Sequence, residues 1–284
     1  MVLPEILAGA FSGDISTLEN IKNNYEICSK TDKLLSETYH KKDSGDRLTH
    51  YGYQIKMLAD YVSEDLFDFE TFKEIWIKNM TSYEGYLDEA TCKSLEYYEN
   101  GYLFGYESEE LGGAARIAPV LCFEKDRETA LEKALEQVQI SHTSYRSLLV
   151  TEFLVKFLYR ICETHNIKEA AEFTAGSFRS DKKKYEYLEK IYSQVTENLS
   201  CNLEGSGNKV EDFLEKDEFP VILYICMKYS SFEEAQYANI RIKGDFAVRG
   251  IIMGMIFGAA GKFGGLSDGK ADSLIIRKGG SGGF

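Results

Sequence analysis

The sequence predicts an all-α protein, a single compact multi-helix bundle, and three observations carry that expectation. Only three prolines, Pro4, Pro119 and Pro220, occur in 284 residues, so long stretches lack the one residue that breaks a helix by sterics and a missing donor. Apolar residues recur mostly three and four apart, the helical period. Near the end, Gly250, Gly254 and Gly258 stand four apart among bulky apolar residues from Ile251 to Phe257, a pattern that on a helix makes one smooth ridge. Such a helix belongs at the centre of a bundle. Arg249 interrupts this apolar run and leaves it shorter than the roughly 20 residues a bilayer span needs, which favours a core helix.

From the start, Pro4 to Asp14 reads as a helix with proline in its first turn, closing on Gly9-Ala10-Phe11-Ser12-Gly13-Asp14. Asp14 is either a solvated helix-end carboxylate or a buried one that needs a partner, a metal or a proton. Residues 20 to 47 are polar and read as short helices and surface loops. Thr49 caps the next helix, whose apolar positions are Ile55, Leu58, Ala59 and Val62, and this places His50, Tyr51 and Gln54 on its first turn. A helix from about Phe69 to Met80 buries Trp76, and Tyr83-Glu84-Gly85-Tyr86 leads to an acidic helix start at Asp88-Glu89.

Gly112-Gly113-Ala114-Ala115-Arg116 reads as a loop whose glycines let the backbone approach a ligand or take positive φ, with Arg116 as a fork for phosphate or carboxylate. It is not a P-loop, since the Gly-Lys-Ser/Thr ending is missing; a structural turn with Arg116 paired to an internal acid is the other reading. A helix follows from Thr129 to Val138. Ser141 is the expected cap of the long apolar helix Leu148 to Ile161, which would set His142 at a helix N-terminus. Residues 167 to 199 give two amphipathic helices, 202 to 208 a loop, and Val210 to Tyr229 another helical stretch. Ser231 then caps a helix that delivers the chain to Asp245. Asp245 and Arg249, four apart, either pair within the helix or face a cleft where the helix dipole favours an anion.

A net charge of −13 argues against a nucleic-acid backbone as partner. The six cysteines, at 28, 92, 122, 162, 201 and 226, never form C-x-x-C and read as reduced core residues, so a cytoplasmic location without signal peptide or membrane span is expected. The division read from composition is a helical domain over 1–262 and a Gly-rich tail over 263–284, flexible or partly a non-native addition.

Four separated words resemble the ADP-ribosylglycohydrolase family, and within it the branch that includes J1 crystallins: Gly9 to Asp14; Thr49-His50-Tyr51-Gly52-Tyr53-Gln54; Gly112 to Pro119; and Gly244-Asp245-Phe246-Ala247-Val248-Arg249-Gly250 with its glycine helix. The resemblance implies an all-α fold whose helix ends meet at one cleft. In active members it implies two magnesium ions, held by Thr-Asp-Asp and Asp-x-Asp-Thr motifs, that assist water in cleaving ADP-ribose from a side chain. Here His50 and Tyr51 stand for the two aspartates of the first motif, and Ala247 and Val248 for the second Asp and the Thr of the last. Thr49 and Asp245 are the remaining metal positions. A hard cation that wants about six oxygens is poorly served by them, so magnesium is not expected as a standing cofactor and belongs only to an active site.

Three function classes follow. The first is a pseudo-hydrolase cleft binding an ADP-ribose-like or nucleotide ligand, free or as an ADP-ribosylated protein, through Tyr51, Gln54, Gly112, Gly113, Arg116, His142 and Arg249. The second is a hydrolase of altered mechanism, with Asp14 or Asp245 as base and His50 or His142 as acid. The third is a crystallin-like structural or interaction protein. If the last helix of the family is missing, the core surface it leaves suggests a homodimer.

Overall fold

A computed structural model describes residues 4–23, 48–64, 66–200, 217–242 and 244–262, and among these the chain is helical with no strand. The elements are α1 (Pro4–Asn23), α2 (His50–Glu64), α3 (Phe69–Thr81), α4 (Glu89–Glu99), α5 (Gly112–Ala115), α6 (Ala118–Phe123), α7 (Arg127–Val138), α8 (Tyr145–Thr164), α9 (Ile167–Ser177), α10 (Lys182–Ser200), α11 (Glu218–Lys228), α12 (Phe232–Asn239) and α13 (Phe246–Ala259). The expected loop at 202–208, most of the stretch 20–47 and the tail 263–284 lie outside the described residues.

The expected central helix is α13, buried over its whole length. At about 1.5–3 kcal/mol for each large apolar side chain, the burial of Ile251, Ile252, Met253, Met255, Ile256 and Phe257 makes it a major contributor to the core. It pairs with α1 in the most extensive helix contact of the molecule. The glycine ridge explains the closeness: a Cβ on Gly254 would lie 2.1 Å from the Gly9 carbonyl oxygen, and one on Gly13 would lie 2.2 Å from that of Gly250. This also corrects the expectation that α1 closes at Asp14. Gly9 and Gly13 admit a neighbouring backbone instead of ending the helix, which runs on to Asn23.

Among the other helices α2, α5, α6, α8, α11 and α12 pack on this pair, and α3, α4, α7, α9 and α10 lie outside them. The ends of α3, α4 and α7 are capped by Asp68, Asp88 and Asp126, whose side chains accept from Thr71, Thr91 and Thr129 backbone N–H groups. Thr49 caps α2 through the Gly52 N–H at 3.3 Å, and Ser231 caps α12, as expected. The cap of α8 differs from expectation: Ser144 accepts from Ser147 N–H, because Ser141 is occupied by Arg116 and His142. Cys122 and Cys226 are buried and Cys162 is partly buried, whereas Cys92 is exposed. No helix among the described residues is long and apolar enough to cross a membrane.

Candidate functional site

The polar interior begins at the N-terminus of α13. Asp245 caps that helix, one carboxylate oxygen accepting from the Ala247 and Val248 N–H groups at 3.0 Å each. Its other oxygen accepts from the Tyr51 hydroxyl at 2.6 Å. Burial first, then the charges of Asp245 and Asp88, push the Tyr51 phenol well above its ordinary value, so it remains a donor. Arg249, one turn on, does not pair with the Asp245 carboxylate. Its guanidinium donates to Glu218 Oε2 at 2.5 Å, Asn239 Oδ1 at 2.7 Å and the Ile242 carbonyl at 2.7 Å. Arg249 is thereby a buried brace between α11, α12 and α13, because a guanidinium taken out of water must place its donors on acceptors. Burial raises the Glu218 carboxyl and Arg249 opposes that rise.

Asp14 is buried, not solvated, and accepts from the Thr49 N–H at 2.8 Å and from the Thr49 hydroxyl. Gly52 allows this approach: a Cβ there would lie 2.2 Å from Asp14 Oδ2.

A second network holds Arg116 in the interior. Its Nε donates to Gln137 Oε1 at 2.9 Å, Nη2 to the Gln137 carbonyl at 3.1 Å and to Ser141 Oγ at 3.0 Å, and Nη1 to Gln54 Oε1. Gln54 Oε1 also accepts from Trp76 Nε1 at 2.7 Å. Arg116 thus has neutral oxygens where an internal acid was expected as one reading, and burial lowers its pKa to about 10. Gly112 and Gly113 take no positive φ and form α5. Their missing side chains make room inside the protein: a Cβ on Gly112 would lie 2.9 Å from the Tyr51 ring and 3.2 Å from His142 Cε1, and one on Gly113 3.0 Å from His142 Nδ1.

At the centre stand His50 and His142, both buried. His142 Nδ1 meets Ser141 Oγ at 2.8 Å, while His142 Nε2 and both nitrogens of His50 lack a hydrogen-bond partner within the protein. Burial first, then the Arg116 and His50 charges, bring the His142 pKa down to about 4 against the opposing charge of Asp88, so the ring is neutral at pH 7. His50 Nε2 lies 3.6 Å from Asp88 Oδ2. Burial pushes the Asp88 carboxyl up, but the His50 contact and the charges of both imidazoles hold it well below the usual range. Asp88 Oδ1 accepts from Thr91 N–H at 2.8 Å, which leaves Oδ2 facing the histidines. Glu110 completes the group; partial burial and the charges of Asp88, Asp245, Glu89 and Glu218 raise its pKa to about 7.

Beside this centre opens a cleft of about 380 Å³. Its lining includes Glu89, Glu107, Glu109, Glu110, Asp217 and Glu218, with Arg146 as the basic residue. Arg146 is itself tied to Asp217 and the Tyr187 hydroxyl, so the cleft is strongly acidic.

The geometry bears directly on a cation pair at the two motifs. Both Asp245 oxygens are taken by hydrogen-bond donors, the Thr49 hydroxyl is turned to Asp14, and His50 and Tyr51 present no carboxylate. As arranged, this donor set does not fit two hard divalent ions, which need clusters of free oxygens.

A family model described as ADP-ribosylglycohydrolase matches residues 33–274. The chain belongs to the ADP-ribosylglycohydrolase family. A solved structure titled "ADP-ribosylglycohydrolase-related protein complex" has the same fold, with a TM-score of 0.61 and 19% identity over 92% of this chain and 90% of that one. No curated protein matches.

Within this ADP-ribosylglycohydrolase fold the sequence-predicted residues divide into groups. His50, Tyr51 and His142 meet around the centre with Gly112 packed between them, whereas Arg249, Arg116 and Gln54 serve the frame, and Asp14 with Thr49 forms a separate buried pair. Asp88 and Glu110 were missed by sequence reasoning. Asp88 stood in the acidic helix start and Glu110 beside the paired glycines, but neither word shows that its side chain meets His142.

Proposed function

We propose that this chain is an ADP-ribosylglycohydrolase-family protein of the J1-crystallin-like design whose cleft binds an ADP-ribose-like or other nucleotide ligand without a working magnesium pair. The ligand is either a free small molecule or an ADP-ribosyl group on a protein. The observation that carries the reading is the Tyr51 to Asp245 hydrogen bond at 2.6 Å, which joins the remnants of the two metal motifs directly. A phenol in this place does for Asp245 what a cation would otherwise do: it supplies positive potential to a half-buried carboxylate.

The ligand-binding half of the reading is supported by the unpartnered imidazole nitrogens of His50 beside Asp88. Buried polar atoms without partners are costly, and ribose hydroxyls, each both donor and acceptor, satisfy them in either tautomer. Gly112 and Gly113 let Tyr51, Asp88 and His142 lie directly against the α5 backbone.

Calorimetric titration of the purified chain with ADP-ribose, once with magnesium and once with EDTA, tests the proposal. Binding that is equal in both arms and weakened at least tenfold by His50→Ala is expected. Binding seen only with magnesium, or release of ADP-ribose from an ADP-ribosylated protein, would reinstate the hydrolase. No binding in either arm would leave the structural, crystallin-like role.

A further inference from the structure

We infer that Asp88, Glu110 and His142 form a site for one first-row divalent transition cation of the zinc class, distinct from the positions of the two motif remnants. A donor atom from each of the three lies within 4.8 Å of the others. Donors sharing an ion at about 2.0–2.2 Å stand roughly 3–3.5 Å apart, so a small side-chain rotation closes the set. The three come from different elements: the cap of α4, the segment before α5 and the segment before α8. Their convergence is a tertiary arrangement and not a run of acids along one surface.

The independent observation is His142. Its ring is 1% exposed and its Nε2 has no hydrogen-bond partner. On the other side, Nδ1 meets Ser141 Oγ at 2.8 Å, and that oxygen also accepts from Arg116 at 3.0 Å. When Nδ1–H donates to Ser141, Nε2 keeps its lone pair for a ligand, with the ring orientation held by an outer hydrogen bond as in known histidine–metal sites. Asp88 is prepared in the same way, one oxygen fixed by Thr91 N–H and the other at the centre. Glu110 is exposed toward the cleft and has no basic partner among the described residues, so it supplies both a negative charge and the way in.

The donor chemistry selects the ion. An imidazole nitrogen with two carboxylates suits zinc, manganese or cobalt, whereas magnesium favours an all-oxygen octahedron. Three protein ligands leave a position open on the cleft side for water or an incoming oxygen. The site stands on these side chains and does not depend on the nucleotide reading.

The test uses the full chain, stripped with EDTA and dialysed. Zinc titration by calorimetry and cobalt titration by visible absorption are expected to give one ion per chain, with cobalt bands of low coordination number. His142→Gln and Glu110→Gln should each weaken zinc at least tenfold, Asp245→Asn should leave it unchanged, and magnesium should bind at least tenfold more weakly than zinc. Circular dichroism checks each variant, and the exposed position of Glu110 makes its variant the safer one to fold. No binding, two ions per chain, binding indifferent to both His142→Gln and Glu110→Gln, or binding lost with Asp245→Asn would each overturn the assignment.

Discussion

Tyr51 shows how one side chain redefines a site. Its hydroxyl completes the hydrogen bonding of the Asp245 carboxylate, and its ring packs against His50 with centroids 3.7 Å apart. Tyr51→Phe is expected to lower unfolding free energy by about 1.5–3 kcal/mol, the range for a hydrogen bond to a charged group. Urea denaturation at pH 7 measures it; unchanged stability would mean that water replaces the phenol at no cost. His142 carries a pH prediction. The unfolded ring takes its proton near 6.5 and the folded ring only near 4, so between these values the unfolded chain binds more protons. Stability therefore falls as pH falls through that window, by about 3 kcal/mol when complete. Thermal melts of the EDTA-treated protein against His142→Gln isolate this term; parallel pH curves for the two would refute it. Asp245 was legible as a site residue from its word, yet its role as a saturated cap depends on a tyrosine 194 positions away.

At the scale of elements, α1 and α13 form the unit on which the others rest. The four-residue glycine spacing was readable as a ridge, but its partner was not, since nothing local says that Gly9 and Gly13 supply the opposing surface. Gly254→Ala is expected to destabilise by about 1–3 kcal/mol or more, because its Cβ would meet the Gly9 carbonyl oxygen, which a helix backbone cannot move aside cheaply. Gly176→Ala on α9 has the opposite expected sign: the nearest atoms are the tip of Arg179 at 3.7 Å, and alanine favours the helix by about 0.5–1 kcal/mol. Chemical denaturation of both variants checks the pair, and equal signs would contradict the contact geometry. The start of α8 is the converse lesson. Ser141 and Ser144 are equally good caps by type, and tertiary demand from Arg116 and His142 assigns Ser141 elsewhere.

For the whole molecule, the net charge of −13 has a local counterpart at the cleft, whose lining carries six carboxylates against Arg146. Charges of one sign around a partly enclosed volume focus their potential inward, so an anionic diphosphate enters against repulsion unless a cation accompanies it. Raising sodium chloride from about 0.05 to 0.5 M shortens the screening length from roughly 14 to 4 Å, and ADP-ribose affinity in EDTA is accordingly expected to rise at least twofold. Titrations at the two salt concentrations read this directly. Affinity that falls with salt would point instead to a basic phosphate contact.

The sequence by itself determined the all-α class, most helix positions, the buried glycine helix and the four words that carry the family. These are local properties: period, caps, and small residues at set spacing are written within a few turns of chain. Only the tertiary structure decided which polar residues face one another. Arg116, Gln54 and Arg249 look like ligand contacts in isolation and are internal braces, because a buried guanidinium recruits whatever oxygens the fold brings near it. Asp88 and Glu110 look like ordinary surface acids and stand beside His142, because that meeting depends on how the segments that lead into α4, α5 and α8 are brought together by the fold.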